Sequence, residues 1–500
     1  MSNRDCDVVI VGGGNAALCA ALSAHESGAK VLILERAPEE ERGGNSSYTA
    51  GTIRFAYDSQ EEIYKLVPDL TAEEIANTDF GTYTEERYFD DLFRVTQYRA
   101  NPDLAEVLIR NSNAAVHWLR KQGVRLVPRY GTHAPNINGK FKFSSGSTLG
   151  AAGAGRGLVE SLYTAVKRAG ITVHYKATVR ELLHDDDGVH GVVVRIDGKT
   201  RKINSSAVVL ACGGFQANAE WRTRYLGFGW DLAKVRGTRF NTGDGIRMAL
   251  EIGAQPYGNW SGAHAVGWDL NAPPYGDINV GDGFTKNSYH RGIIVNADGK
   301  RFLDEGADFR NFTYAKYGKI ILAQPGQFAW QIFDSKVFDL LGPLYHMKQM
   351  TKVRADTLEE LADKLEGVNK QQFLKTVSEY NAAVRRDMPF NPSIKDGRGT
   401  VGLEIPKSNW ANTICDGPFE AYAVTCGITF TFGGLKVSTN AEIVDTDDQP
   451  IPGLYGAGEL VAGIFYFNYP GGSGLTNGTV FGRIAGSNAA NWASQAEGRK

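Results

Sequence analysis

Three consecutive glycines, Gly12-Gly13-Gly14, followed by Asn15-Ala16-Ala17, come directly after the β-branched run Val8-Val9-Ile10-Val11. A second apolar run, Val31-Leu32-Ile33-Leu34, ends on the acid Glu35. In such a pattern the first glycine allows a tight turn and the second lets backbone approach a pyrophosphate seated on a helix N-terminus. A small residue in third place, here Ala17, allows close helix packing, and an acid about twenty residues on accepts from a ribose hydroxyl. The chemistry served is dinucleotide binding. The next segment, Arg42-Gly43-Gly44-Asn45-Ser46-Ser47-Tyr48-Thr49-Ala50-Gly51, offers small residues and side-chain donors where a flavin's phosphates and ring edge need close backbone, which favours FAD over NAD. Further clusters at Ala211-Cys212-Gly213-Gly214-Phe215, Pro452-Gly453-Leu454-Tyr455-Gly456-Ala457-Gly458-Glu459 and Gly471-Gly472-Ser473-Gly474-Leu475-Thr476-Asn477-Gly478 are candidates to converge on the same extended ligand.

The elements that must position these clusters can be read in outline. Val8–Val11 and Val31–Leu34 read as buried parallel strands flanking an Ala-rich helix that ends near Ser27-Gly28. Downstream, Val173 to Val179 leads into runs separated by Asp187-Gly188 and Asp197-Gly198, both type I′ hairpin signals. The apolar run Ala207-Val208-Val209-Leu210-Ala211 follows, so a three-stranded β-meander is expected to feed back into the parallel sheet. Residues 59–127 read as a helical flank, and 129–147 as an irregular loop with aromatic and basic character. Ala355-Asp356-Thr357-Leu358-Glu359-Glu360-Leu361 opens a helix with capping-box character, and a second helix is expected from Gln371 to Val384.

Composition narrows the class. Of 500 residues 59 are glycine, about 12% against an average near 7%, with no collagen-like period, so the excess bends backbone at specific places. Lys and Arg number 54 against 56 Asp and Glu, a net charge of −2, which gives no bulk reason to expect nucleic acid or anionic lipid as partner. The five cysteines form no C-x-x-C pair. This argues for reduced thiols in a cytoplasmic protein and against a cysteine-built zinc or iron–sulfur site, and no metal is expected. The uncharged run from Val8 to Ala24 is broken by Gly12-Gly13-Gly14-Asn15, and its leader lacks the positive balance of a signal peptide, so neither a leader nor a membrane span is read there.

Taken in order, Val11 to Ala17, Gly44-Asn45-Ser46, Ala211 to Phe215, Thr242-Gly243-Asp244-Gly245, Val295-Asn296 through Gly299-Lys300-Arg301-Phe302, and Gly453 to Glu459 resemble the flavoprotein family of fumarate reductase and succinate dehydrogenase over nearly the whole chain. Asn15 to Ala21, Asp304-Glu305-Gly306-Ala307-Asp308-Phe309-Arg310-Asn311 and Asn468-Tyr469-Pro470-Gly471 look most like its tricarballylate dehydrogenase branch. The resemblance implies a mixed α/β fold. An FAD-binding domain of two-dinucleotide type, with parallel sheet and β-meander, would be divided into residues 1–254 and 407–500. A capping, substrate-binding α+β domain is inserted at 255–406. It further implies cofactor contacts at Gly12, Gly14, Asn15, Ala16, Glu35, Arg36, Gly44, Asn45, Ser46, Val179, Ala211, Gly213, Asp244, Gly458, Glu459, Gly474, Leu475 and Thr476. His264 stands where the family carries a substrate-holding histidine. Glu305 and Arg310 stand where it runs a proton-relay acid and arginine, at wider spacing, and Arg291 is a further candidate at the cap edge.

Three family positions are absent. Phe430 replaces a histidine, Tyr469 replaces the arginine that clamps a substrate carboxylate, and Phe338 falls near the place of the arginine proton donor. No Phe or Tyr reproduces an arginine fork on a carboxylate, which counts against plain succinate or fumarate chemistry. Tyr469-Pro470-Gly471 instead resembles the element of 3-ketosteroid Δ1-dehydrogenases in which a tyrosine donates to a substrate carbonyl. Families with histidyl-linked flavin carry His near residues 45–49, where this chain has Tyr48, so non-covalent FAD is expected.

The expected activity is an FAD-dependent dehydrogenase forming or reducing a C=C bond next to a carboxyl or carbonyl. A tricarballylate-like polycarboxylate is the favoured substrate, and electrons would pass to a separate electron-transfer protein or quinone. A cyclic enone or 3-ketosteroid enzyme is the alternative, decided by whether the pocket at Tyr469, Phe430 and Phe432 is apolar or ringed by Arg54, Arg129, Arg156 and Arg291. A flavin-binding subunit without turnover is a third reading.

Overall fold

The computed structural model describes residues 4–131 and 133–498. The chain opens with β1 (Val8–Val11), α1 (Asn15–Glu26) and β2 (Val31–Leu34). After the helical flank, α2 (Ala154–Arg168) leads to β3 (Thr172–His174), then to β4 (Thr178–Asp185), β5 (Gly188–Ile196), β6 (Lys199–Asn204) and β7 (Ala207–Leu210). Helix α3 (Asp244–Glu251) precedes β8 (Pro256–Asp269), β9 (Ile293–Val295), α4 (Tyr314–Leu322), β10 (Ala329–Asp334), β11 (Lys352–Ala355) and β12 (Phe419–Leu435). The chain closes through β13 (Glu442–Val444), β14 (Pro450–Gly456) and the long helix α5 (Ser473–Gly498).

The first sheet runs β13-β14-β7-β1-β2-β3, parallel except for the edge strand β13. Its inner strands β1, β2 and β7 are buried at every residue, as continuous Val/Ile/Leu runs must be when helices cover both faces. The meander forms as β4-β5-β6 and returns through β7 beside β1. At its second turn Asp197 and Gly198 both have positive φ (50° and 78°), as type I′ requires. At the first turn only Gly188 does (115°), so Asp187-Gly188 makes a different turn from the one expected, and Gly188 is demanded by Pro452 O, which would lie 2.4 Å from an added Cβ.

The cap sheet is built on β12, which pairs with β8, β10 and β11, while β10 carries β9. This strand of 17 residues is buried almost throughout and starts beyond residue 406, so the expected division falls between strands of one sheet. Helices appear where expected: Leu358–Lys364 is capped by Thr357, whose hydroxyl accepts from Glu360 N, and Lys370–Ala383 follows. Among the described residues no helix is long and apolar enough to cross a membrane.

The packing that brings the two chain ends together is α1 against α5. Gly478, Gly482 and Gly486 recur at four-residue spacing on the face of α5 that meets Asn15, Ala16, Cys19 and Ala20 of α1. A Cβ on Gly482 would lie 2.6 Å from Ala16 O, and one on Gly486 2.1 Å from Ala20 O. Gly to Ala inside a helix ordinarily gains up to about 1 kcal/mol. Here Gly486→Ala is expected to cost about 1–3 kcal/mol, because the opposing backbone must retreat. A fall in the melting temperature of the holoenzyme checks this, and an unchanged or raised value would refute the close-contact argument.

Candidate active site

At one end of a long chamber the glycines do steric work. Gly12 has φ 117°, and a Cβ there would lie 2.4 Å from Ala211 O, so β1 and β7 can end side by side only with glycine. A Cβ on Gly13 would meet Glu35 Oε2 at 2.3 Å. The carboxylate of Glu35 accepts from Ala37 N (2.6 Å), and burial pushes it up to about 7. Helix α1 starts without a side-chain cap; Asn15 N donates to Ser46 Oγ (3.1 Å), and the turn of bare backbone before it faces the chamber. At the rim Arg36 binds Asp244 (2.7 Å) and Thr242 (2.6 Å).

Further in, Asn45 is fixed on both sides, accepting from Thr238 N (2.9 Å) and donating to Thr429 O (2.5 Å). Glu459 accepts from Thr431 N (2.9 Å) and Gln216 Nε2 (3.2 Å), and burial pushes it up to about 7 as well. Asn15 ties the helices together, donating to Leu475 O (2.9 Å) and Thr479 Oγ1 (3.1 Å), so the start of α5 at Gly474 and Leu475 also faces the chamber. The volume enclosed is about 520 Å³, within the range of small-molecule sites. Every expected cofactor residue lines it except Thr476. The Thr476 hydroxyl instead donates to Arg54 O (2.6 Å) and holds the backbone under α5.

The other end is aromatic and cationic. His264 on β8 stands opposite Phe430 on β12, and Tyr314 opens α4. The His264 ring is 1% exposed and lies 4.8 Å from the Tyr469 ring, 4.9 Å from Tyr314 and 5.4 Å from Phe430, centroid to centroid. Neither of its nitrogens has a hydrogen-bond partner, and burial, with Arg236 nearby, holds it neutral. The Tyr314 and Tyr469 hydroxyls share a 2.5 Å hydrogen bond. Burial raises both phenols above the usual tyrosine range, opposed by Arg236 at both and by Arg310 at Tyr314. Arg236 is itself paired with Asp282 (2.7 Å). Arg310 donates to His133 Nε2 (3.2 Å), an imidazole kept neutral by burial and by that same cation. Arg129 lies near Arg310 with its Nε unpartnered.

Of the five expected catalytic residues, Tyr469, Arg310 and His264 meet in the chamber. Two do not. Glu305 is fully buried in an ion pair with Arg301 (Nη2 2.5 Å, Nε 3.0 Å) and accepts from Ile294 N (2.9 Å); it is a strut within the cap, not a relay acid at the chamber wall. Arg291 lines a separate small cavity instead. Of the four arginines whose ring would mark a polar pocket, Arg129 alone lines the chamber; Arg54 is buried against Gly471 O, Tyr83 and Ser147, and Arg156 is at the surface. Tyr314, Arg236 and His133 line the chamber and were not foreseen. The signal available for Tyr314 was its place four residues after Arg310, at the start of an apolar helical run; Arg236 and His133 sit in segments without periodicity.

The model of the family described as FAD binding domain matches residues 7–475. The chain is 31% identical to a probable fumarate reductase, Ifc3, of Shewanella frigidimarina (strain NCIMB 400), over 97% of this chain and 74% of the relative. It is 25% identical to a 3-oxosteroid 1-dehydrogenase of Mycolicibacterium smegmatis, over 97% of each chain. The open conformation of a flavocytochrome c3 fumarate reductase superposes with a TM-score of 0.74 at 28% identity, covering 98% of this chain and 79% of that one.

The donor set fits FAD. Bare glycine backbone and two helix starts suit a pyrophosphate and an electron-rich ring edge, and Glu35 and Glu459 offer buried acceptors to hydroxyl or N–H donors. Because such donors bind the ionised carboxylate, FAD binding lowers the Glu35 pKa from about 7 and releases a proton. FAD affinity of the apoprotein is therefore expected to fall as pH drops below 7, by up to about tenfold per pH unit for each coupled carboxylate. Fluorescence titration should show a weaker and flatter profile for Glu35→Gln, and a pH-independent wild type would remove the assignment. Acid precipitation is expected to leave all yellow colour in the supernatant. Sequence, fold and donor set agree: the chain belongs to the FAD-binding domain family of flavoproteins, in its fumarate reductase and succinate dehydrogenase class, and is an FAD-dependent oxidoreductase acting on CH–CH groups.

Proposed function

We propose that the enzyme forms or reduces a C=C bond conjugated to a carboxylate or ketone, on a substrate with one anionic end and an apolar body. The observation that carries this reading is the Tyr314–Tyr469 hydroxyl pair opening onto the chamber between an arginine cluster and an aromatic wall. FAD, when bound, supplies the two-electron acceptor or donor for hydride at carbon. The chain's own residues handle the proton and the charge.

In the reductive direction one phenol of the pair donates its proton to the substrate, and the other donates into the hydrogen bond so vacated. Arg236 and Arg310 lie near enough to stabilise the phenolate. In the reverse direction the phenolate is the base that removes the proton next to the activating group. Both phenols lie above the usual tyrosine range, so the reductive rate stays flat through neutral pH while dehydrogenation rises with pH. Arg310 and Arg129 offer donors to a carboxylate, and neutral His264 adds an uncharged imidazole without competing for the anion.

The same layout counts against a polycarboxylate such as tricarballylate. Further carboxylates would have to rest on Phe430, Phe432 and Phe465, which can neither pair nor hydrogen-bond them. That wall favours, as the second reading, a cyclic enone whose oxygen receives the Tyr469 hydroxyl. In either reading electrons are exchanged with a separate electron-transfer protein or quinone.

Anaerobic holoenzyme mixed with aryl-substituted enoates, fumarate and cyclic enones, followed by flavin absorbance, tests the class; no bleaching or reoxidation with any of them overturns it. Tyr469→Phe and Tyr314→Phe should each lower kcat by about 10²- to 10⁴-fold with KM little changed. Arg310→Ala should raise KM for an enoate by about tenfold or more while leaving the KM of a neutral enone nearly unchanged. Equal effects on both substrates would remove the carboxylate from the arginine end.

A further inference from the structure

Arg310, His133 and Asn311 line the main chamber and also line a second cavity of about 40 Å³ adjoining it. Arg291 enters this space from the turn Tyr289–Arg291; it is 7% exposed, and among the described residues its Nε and Nη1 have no hydrogen-bond partner. Two guanidiniums therefore share a small buried volume. The two imidazoles there, His133 and His290, are held neutral by burial and by the neighbouring cations.

Among the described residues no carboxylate lines the cavity. The acids nearby are engaged elsewhere. Asp396 accepts from Trp410 N (2.9 Å), Arg398 N (3.0 Å) and Asn391 N (3.0 Å), and Asp308 is paired with Arg94 (2.6 Å). Burial and the repulsion of Arg310 push Arg291 down to about 10, so it stays a cation at neutral pH. A buried guanidinium with unmade hydrogen bonds and a like charge beside it is costly unless an anion joins it. Neither a water, which brings no charge, nor a cation meets that need.

We propose that this second cavity is a binding site for a compact monovalent anion, with Arg291 supplying the N–H donors and Arg310 a second positive charge. The volume suits a halide, nitrate or single carboxylate group rather than a phosphorylated metabolite. A free ion and the single carboxylate of a substrate reaching past Arg310 present the same chemistry. One consequence rests on the reading of the chamber given above: an anion here lowers the positive potential at Arg310, so a bound halide should raise KM for an enoate while leaving the KM of a neutral enone unchanged.

Crystals of the FAD-loaded enzyme soaked in bromide should show an anomalous peak within hydrogen-bonding reach of Arg291. A peak lost on adding an enoate but not a neutral enone assigns the site to a substrate group, and one that persists assigns a free ion; both support the anion site. In solution the holoenzyme's Tm should rise by ~2 °C or more between halide-free and bromide-rich buffer, and Arg291→Met, which removes the charge at similar volume, should abolish the rise. Arg291→Lys, which keeps a charge, should retain part of it. No anomalous peak at Arg291, or the same bromide response in wild type and Arg291→Met, overturns the proposal. The diffraction result stands even if a variant fails to fold.

Discussion

The structure turns on a backbone contact between helices from opposite ends of the chain. Gly478, Gly482 and Gly486 remove three Cβ atoms from the face of α5 that meets α1, and the two helices approach until carbonyls of Ala16 and Ala20 lie where side chains would stand. Dispersion across such a contact is short-ranged, so the fit tolerates little displacement. Its consequence is geometric. Both helices point their N-terminal turns at one chamber, and Asn15 bonds directly to Leu475 O. A chain whose first and last helices were held by longer side chains would have two separate anion sites in place of one extended one. The parallel sheet sets where α1 begins; the glycine face sets where α5 must begin relative to it.

This explains why the cofactor end was legible in the sequence and the substrate end was not. Close approach of neighbouring groups at positive φ leaves glycine as the residue that fits, so the constraint is written in residue type at Gly12, Gly213 and Gly458. Thr476 failed because helical periodicity turns it one step away from Gly474 and Leu475, onto Arg54. The substrate end is built from side chains on β8, β12, α4 and loops, whose meeting depends on the cap's pairing. Glu305 and Tyr314 show the difficulty. Both lie within five residues of Arg310, but Glu305 is taken by Arg301 four residues before it, an intrahelix-like spacing without a helix, while Tyr314 is carried into the chamber by α4. Nothing in residue type separates a strut from a relay; only the partner does. The strand β12 was missed for a related reason: its 17 residues are continuous with the segment ahead of it in sequence, yet their pairing belongs to the cap.

Charge is sorted along the chamber. Carboxylates raised by burial, Glu35 and Glu459, stand at the cofactor end, and guanidiniums, Arg129, Arg236 and Arg310, at the other. Each desolvated group is more costly alone than with its ligand, so empty and loaded states differ most at these residues. Of the three arginines Arg236 already has its anion in Asp282, and it therefore serves the tyrosines as a fixed field rather than the substrate as a clamp. Where the resembling family carries a carboxylate-clamping arginine and a histidine, this chain has Tyr469 and Phe430, both lining the chamber.

That exchange also constrains the proton chemistry. A guanidinium is a poor acid whose surroundings must be pushed hard before it yields a proton, whereas a phenol's ordinary pKa of about 10 lies closer to neutrality. Burial raises Tyr314 and Tyr469; Arg236 pulls both in the opposite direction, Arg310 pulls Tyr314, and the hydroxyl–hydroxyl bond lets one phenol share the charge left on the other. The pair can then act as donor or acceptor according to which carbon chemistry the flavin side drives. A site of this kind selects its substrate less by counting carboxylates than by the position of one acidic proton relative to one anionic or carbonyl oxygen. The aromatic wall of Phe430, Phe432 and Phe465 is the surface against which that position is measured.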